Sequence, residues 1–165
     1  MRSVYLSANG LDTTLQKFRV KNDPLGKLIE PHITLVFPFE SSMSDLELVE
    51  LVSIKVSSFG SFSATLNTEA QVEKDYLYFS ILEGANQIKR MHECLYKGPL
   101  SVYLKKHIYI PHLTIGRGER DRIALMQEEA NALEVSKYFR VSKLKIENIE
   151  PDGKSTAIKE ILLNP

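Results

Sequence analysis

The chain contains a single cysteine, Cys94, among its 165 residues. No internal disulfide can form, and a cysteine-rich zinc site is excluded. A long apolar run is also missing. The opening stretch MRSVYLSANGLDTT has neither the apolar centre of a secretory leader nor the length of a membrane span, which predicts a cytoplasmic protein with no membrane partner. Net charge is absent too, because 21 Lys and Arg balance 21 Asp and Glu. That balance argues against a protein that grips long duplex nucleic acid by charge. No Gly/Ser/Pro-rich linker divides the sequence. The expectation is one domain over residues 1–165, large enough to bury a core without metal or disulfide staples.

What is present is a 43% hydrophobic, 25% charged composition typical of globular chains, with charge sorted locally. Between Lys89 and Lys106 five bases (Lys89, Arg90, Lys97, Lys105, Lys106) accompany one acid, Glu93, whereas Glu40 to Glu50 carries four acids and no base. Such a basic stretch suits a small phosphorylated ligand, although runs this short are more often solvated faces.

Periodicity sketches the elements. SVYLSA reads as a strand, followed by a short helix with Leu11, Leu15 and Phe18 on one face. HITLVF is a second strand, and Ser44 with Glu47 forms a capping-box signature for a helix to about Ser58. FSATLNTEAQV and YLYFSIL read as a hairpin across EKD, and a helix near Asn86 carries Ile88, Met91 and Leu95. LSVYL and HLTIG are strand-like. Ile123, Met126, Ala130 and Leu133 mark another helix, and KYFRVSKLKIENI and TAIKEILL close the chain around a PDGK turn. Strand, helix, strand, helix and strand pair thus occur twice. That order predicts an α+β fold of two lobes related by a pseudo-twofold, with antiparallel sheets lining a central cleft and helices outside.

Each half contains one odd strand. EPHITLVFPF and IPHLTIGR both read Pro-His-apolar-Thr-apolar, with the histidines 112 − 32 = 80 residues apart. Side chains on a strand alternate faces. His32 and Thr34 therefore share one face, opposite Ile33, Leu35 and Phe37. His112 and Thr114 do the same, opposite Leu113 and Ile115. A cleft between two such strands would hold two imidazoles and two hydroxyls. Imidazole takes either protonation state near neutrality, so one can act as base while its twin acts as acid. The threonine hydroxyls can hydrogen-bond the oxygens where charge builds. A lone strand histidine is more often structural, but two identically framed copies outweigh that reading. Zinc is a weaker explanation, because no HxH or HExxH is present. His92 and His107 lack any framing and read as structural or surface residues.

PHITLVF and PHLTIGR resemble the two HxTx signatures of the two-histidine phosphoesterase superfamily, which includes 2′-5′ RNA ligase-like proteins and cyclic phosphodiesterases. The resemblance covers nearly the whole chain in element order and motif spacing. It implies a bilobal α+β fold and cofactor-free, metal-independent chemistry on 2′,3′-cyclic phosphates of nucleotides or RNA ends, catalysed by His32, Thr34, His112 and Thr114 in a monomer. Ligation or cleavage of 2′-5′ linkages, and nucleotide binding without turnover, remain alternatives. Arg117 is a candidate substrate-binding residue: strict alternation points it away from His112, unless Gly116 permits a bulge that turns it back. For Phe37 the same parity favours core packing over base stacking. Tyr103 and Tyr109 read equally as base-stacking groups or ordinary aromatics.

Overall fold

Side-chain caps start the first two helices of the computed structural model, which describes residues 1–165. Strand β1 (Arg2–Ser7) leads to helix α1 (Thr13–Asn22), whose first turn is capped by Asp12 accepting from the Thr14 amide at 2.8 Å. Strand β2 (His32–Phe39) follows, then α2 (Asp45–Val56), started by the Ser44–Glu47 capping box. Strands β3 (Phe62–Thr65), β4 (Gln71–Glu73) and β5 (Tyr76–Ser80) precede α3 (Ala85–Leu95). Then come β6 (His112–Arg117), α4 (Arg120–Asn131), β7 (Tyr138–Val141), β8 (Lys143–Ile149) and β9 (Ser155–Leu162).

The result is an α+β fold of two lobes. One sheet has the order β2-β1-β8-β9 and the other β4-β5-β6, with β3 and β7 forming a separate antiparallel ribbon. A bridge between Leu66 and Ile81 ties that ribbon to the second sheet, and one between Asn9 and Arg140 ties it to the end of β1. The helices are exchanged between lobes: α1 packs against β6 and α3 against β2. Strands β2 and β6, each at a sheet edge, lie against one another. Ile33, Leu35, Leu113 and Ile115 are fully buried beneath them, with Phe79 and Phe139 among the largest core side chains. Each such side chain contributes about 1.5–3 kcal/mol through removal from water.

Three expectations need correction. LSVYL is not a strand. Gly98 turns the chain at φ 85°, and Pro99, whose fixed φ suits a helical first position, starts a 3₁₀ turn over Pro99–Tyr103. FSATLNTEAQV divides into β3 and β4, and only β4 forms the hairpin with β5, through Lys74 at φ 57°. KYFRVSKLKIENI also divides at Ser142, with β7 joining β3 and β8 joining β1. The repeat holds as strand-helix-strand-helix-strand, but the closing strands are shared between lobes.

Candidate functional site

Both histidine strands break alternation at the same place. Along β1, Ser7 faces His32, Tyr5 faces Thr34, but Val4 faces Val36, so Leu35 is an inserted residue. Along β5, Ser80 faces His112, Tyr78 faces Thr114, and Leu77 faces Gly116, so Ile115 is inserted. In each strand two successive residues are then buried, Leu35 with Val36 and Ile115 with Gly116. A bulge of this kind reverses the facing of everything after it. Arg117 pairs with Tyr76, which shares a face of β5 with Tyr78 and Ser80. Arg117 therefore projects from the same face as His112 and Thr114. Phe37 is likewise returned to the His32 face. It is half-buried rather than a core residue, edge-on to His107 and Tyr109 with centroids 5.6 and 6.3 Å away, with the Lys105 ammonium 5.0 Å from its ring centroid.

The two imidazoles are held alike. His32 Nδ1 lies 2.7 Å from the Glu30 carbonyl and His112 Nδ1 lies 2.7 Å from the Ile110 carbonyl. A carbonyl only accepts, so each Nδ1 is the protonated donor and each Nε2 keeps its lone pair for chemistry. A tyrosine packs tilted on each ring, Tyr5 on His32 at 4.7 Å and Tyr78 on His112 at 4.8 Å. Although His32 retains some solvent contact, desolvation dominates its surroundings and pushes its pKa down to about 4, with the Arg19 guanidinium adding to the effect. Desolvation lowers His112 as well.

Arg117 is anchored at the cleft. Its Nε lies 3.5 Å from Asp23 Oδ1, and its guanidinium carbon is 4.7 Å from the Tyr76 ring centroid. Asp23, at 2% side-chain exposure, also lies 3.6 Å from Arg19 Nη2. Arg19 in turn donates to the Ile29 carbonyl at 2.7 Å, holding the chain that leads into His32. Arg117 Nε is buried without a hydrogen bond, while a third of the side chain remains exposed. One face of the guanidinium is thus fixed and the remainder is open to an anion.

Side chains from elsewhere hold the outer edge of β2. Tyr109 donates to the Thr34 carbonyl at 2.7 Å, and His92 Nδ1 donates to the Leu35 carbonyl at 2.7 Å. Tyr96 accepts from the Phe37 amide at 3.1 Å. His92 and Tyr109 stack with centroids 3.7 Å apart and rings 3° from parallel. His92 is therefore a buried structural residue, whereas His107 is exposed. No group of three or more His, Cys, Asp or Glu side chains converges as a metal ion would need. Strands β2 and β6, which lie against one another, instead carry two imidazoles, two hydroxyls and one guanidinium, a set suited to moving protons around a phosphate.

Comparison with known proteins identifies the family. A sequence model described as the 2′-5′ RNA ligase superfamily matches residues 9–152. The chain belongs to that superfamily, the two-histidine phosphoesterases. A protein of Geobacillus kaustophilus classed as a phosphoesterase is 32% identical over 111 residues, covering 61% of this chain and 58% of the relative. One from Bacillus cereus strain B4264 is 31% identical over 118 residues, covering 69% and 63%. The match therefore spans less than two thirds of these relatives' length. Among solved structures, E. coli LigT complexed with 3′-AMP superposes with a TM-score of 0.60 at 14% identity, covering 99% of both chains. A Thermus thermophilus protein gives 0.64 at 16%, covering 99% of this chain and 98% of that one. At these identities the superpositions establish the fold.

In this member of the two-histidine phosphoesterase superfamily the sequence reading missed a second repeat. Tyr5-Leu6-Ser7 and Tyr78-Phe79-Ser80 occupy corresponding places, each on the strand that pairs with a histidine motif. The signal was available as a repeated Tyr-apolar-Ser on the strand that precedes each motif strand, with a helix between them. Asp23 and Arg19 had no sequence signal, because their roles depend on α1 crossing to the other lobe, and that of Glu30 depends on its meeting Ser7 and Lys145 across the first sheet.

Proposed function

We propose that residues 1–165 work as one two-lobed, cytoplasmic, monomeric unit that hydrolyses a 2′,3′-cyclic phosphate on a nucleotide or RNA end, with His32 and His112 as paired acid and base. The observation that carries this reading is the matched pair of imidazoles, each fixed through Nδ1 with Nε2 left free. In the proposed reaction one neutral imidazole removes a proton from water as its oxygen bonds to phosphorus. The second, protonated, gives its proton to the ribose oxygen as the phosphorus–oxygen bond breaks. The charges balance without a metal ion. His32, with the pKa near 4, suits the base, and His112 then serves as the acid. Thr34 and Thr114 donate to the non-bridging oxygens, and Arg117 neutralises charge as it builds. E. coli LigT has been crystallised with 3′-AMP, ATP and NADP+, which supports a nucleotide as the substrate of this chain.

The test is incubation with a short RNA ending in a 2′,3′-cyclic phosphate, and with the four cyclic mononucleotides, in excess EDTA. The expected result is conversion by the wild type and its loss in His32→Ala and His112→Ala. Activity that persists in both variants would overturn the site, and binding without product would favour a module that only recognises nucleotides. A 2′-5′-linked oligonucleotide run alongside detects the ligase-type reaction.

A further inference from the structure

Tyr5 and Tyr78 hold corresponding places in the two lobes, yet only one of them is tethered. Each ring packs on a histidine of the site, Tyr5 on His32 and Tyr78 on His112. The Tyr5 hydroxyl is bonded to the carboxylates of Glu147 and Glu30, and the whole residue is buried. Burial and these carboxylates raise its pKa, so the hydroxyl remains a donor at every working pH. The Tyr78 hydroxyl feels the charge of Glu73 but is bonded to no side chain, and the residue is partly exposed.

The groups behind Tyr5 are fully engaged with one another. Glu147 is buried and accepts from the Ser3 and Ser155 hydroxyls as well as from Tyr5. Glu30 accepts from Ser7 Oγ at 2.7 Å and from Lys145 Nζ at 2.6 Å. A buried carboxylate short of a donor is costly, so this network fixes the phenol at its hydroxyl end. A cavity of about 180 Å³ lies on the carboxylate side, lined by Tyr5, Glu30, Lys145 and Glu147 among others, and His32 does not line it. The ring therefore stands between the imidazole and that polar space. Around His32 itself are Arg19 and Asp23 from the end of α1, which pair with each other, and Glu30 from the segment before β2. Arg117 of β6 shares Asp23, and Lys143 and Lys145 of β8 face Glu30. No carboxylate takes the imidazole N–H, because Nδ1 donates to the Glu30 carbonyl at 2.7 Å.

Resting on the acid–base reading above, we infer that Tyr5 is a positioning residue for His32. Tethered through its hydroxyl to Glu147 and Glu30, it holds the imidazole in place and screens it from the cavity and the carboxylates. His32 is thereby kept as the neutral base of the pair. Tyr78 lacks the tether, so His112 is not held in the same way and the two histidines cannot exchange roles.

The test is an NMR titration of the histidine rings in the free protein, which has four histidines, together with kcat/KM against pH for a 2′,3′-cyclic nucleotide. Tyr5→Phe keeps the ring and cuts the tether. Cavity water then reaches the imidazole and Glu147 loses a donor, and both changes favour the imidazolium. The His32 midpoint, near pH 4 in the wild type, should rise by at least about one pH unit. The ascending limb of kcat/KM should rise with it, because the base must be neutral. Tyr78→Phe cuts no tether and should leave the His112 midpoint where it is. If Tyr5→Phe does not fold, the double variant with Glu147→Gln strands no buried charge and carries the test with the same expected direction. A purely structural Tyr5 would lower the urea midpoint of the variant without moving His32, and that result overturns the inference. So does an equal rise at His112 in Tyr78→Phe, because ring contact alone would then explain both. A shifted His32 in a protein that hydrolyses no cyclic phosphate would instead overturn the reaction and leave the positioning role standing.

Discussion

Asp23 Oδ1 lies 3.5 Å from Arg117 Nε, and this ion pair joins helix α1 to the second histidine strand. The carboxylate is buried and serves a second guanidinium, Arg19, at 3.6 Å. Changing either side of this pair should have a separable consequence. Asp23→Asn leaves Arg19, 3% exposed, charged and without its ionic partner. Stability should fall by about 3–5 kcal/mol, read as a shift in urea midpoint. Arg117→Lys keeps the charge but loses the planar fork that grips Asp23 and an anion together. It should fold normally and raise KM about tenfold with a smaller change in kcat. An unchanged KM in Arg117→Lys would remove Arg117 from the binding site.

The depressed histidine pKa values set the pH profile. The proposed reaction needs one imidazole neutral and the other charged. In the free enzyme His32 loses its proton near pH 4, and His112 loses its own below the ordinary 6.5. The bell in kcat/KM should therefore peak on the acid side of neutrality, between those values, rather than at neutrality as unperturbed histidines would give. A bound phosphate favours the imidazolium, so the descending limb of kcat should lie at higher pH than that of kcat/KM. Rates over pH 4–9 for a cyclic nucleotide check both. A kcat/KM maximum above pH 8 would contradict the assignment of the pair.

The two limbs of that profile rest on strands whose faces were only half legible in the sequence. His32, Thr34, His112 and Thr114 precede the bulges, and for them period-two alternation gives the right face. Phe37 and Arg117 follow the bulges, where parity fails. The inserted residues, Leu35 and Ile115, are as apolar as a regular core position, so nothing local marks them; Gly116 alone hints at one. Helices α2, with its capping box, and α3, with its 3.6-residue apolar periodicity, were legible because these signals are local. The exchange of α1 and α3 between lobes, and the pairing of β3 with β7, were not. Each joins segments far apart in the chain, and either alternative partner would satisfy the same apolar pattern.

Stability should also depend on pH through His32. In the unfolded chain its pKa returns to the ordinary 6.5, whereas in the folded protein it is about 4. Between these values the unfolded state binds more protons, so the folded state loses ground as pH falls. This group contributes no pH dependence above about 6.5, and its effect is complete once pH drops below the folded value. The loss is at most about 3–4 kcal/mol at 1.36 kcal/mol per unit. His32→Asn can still donate to the Glu30 carbonyl but cannot titrate. It should lose less stability than the wild type between pH 7 and pH 4.5 in urea unfolding. Identical losses in the two proteins would mean that His32 is solvated well enough to titrate normally.

The edge of β2 offers a mechanical test of how the two histidine strands are kept in register. Tyr109 stands three residues before His112, and its hydroxyl donates to the Thr34 carbonyl on the other motif. Burial raises the pKa of this phenol, so it remains a donor throughout the working pH range. Tyr109→Phe keeps the ring that stacks on His92 and deletes only that bond. The Thr34 carbonyl then loses its cross-motif partner, at a cost of about 1–3 kcal/mol. Both strands gain freedom to slide, and the geometry of a paired proton transfer tolerates little of it. The expected outcome is a lower urea midpoint together with a kcat reduced about tenfold and KM little changed. Tyr96→Phe removes a partner of β2 just past the end of α3 instead, and should lower stability with a smaller loss of kcat. If both variants lost kcat and stability in the same proportion, the Tyr109 bond would be one packing contact among many rather than the tie between the two motifs.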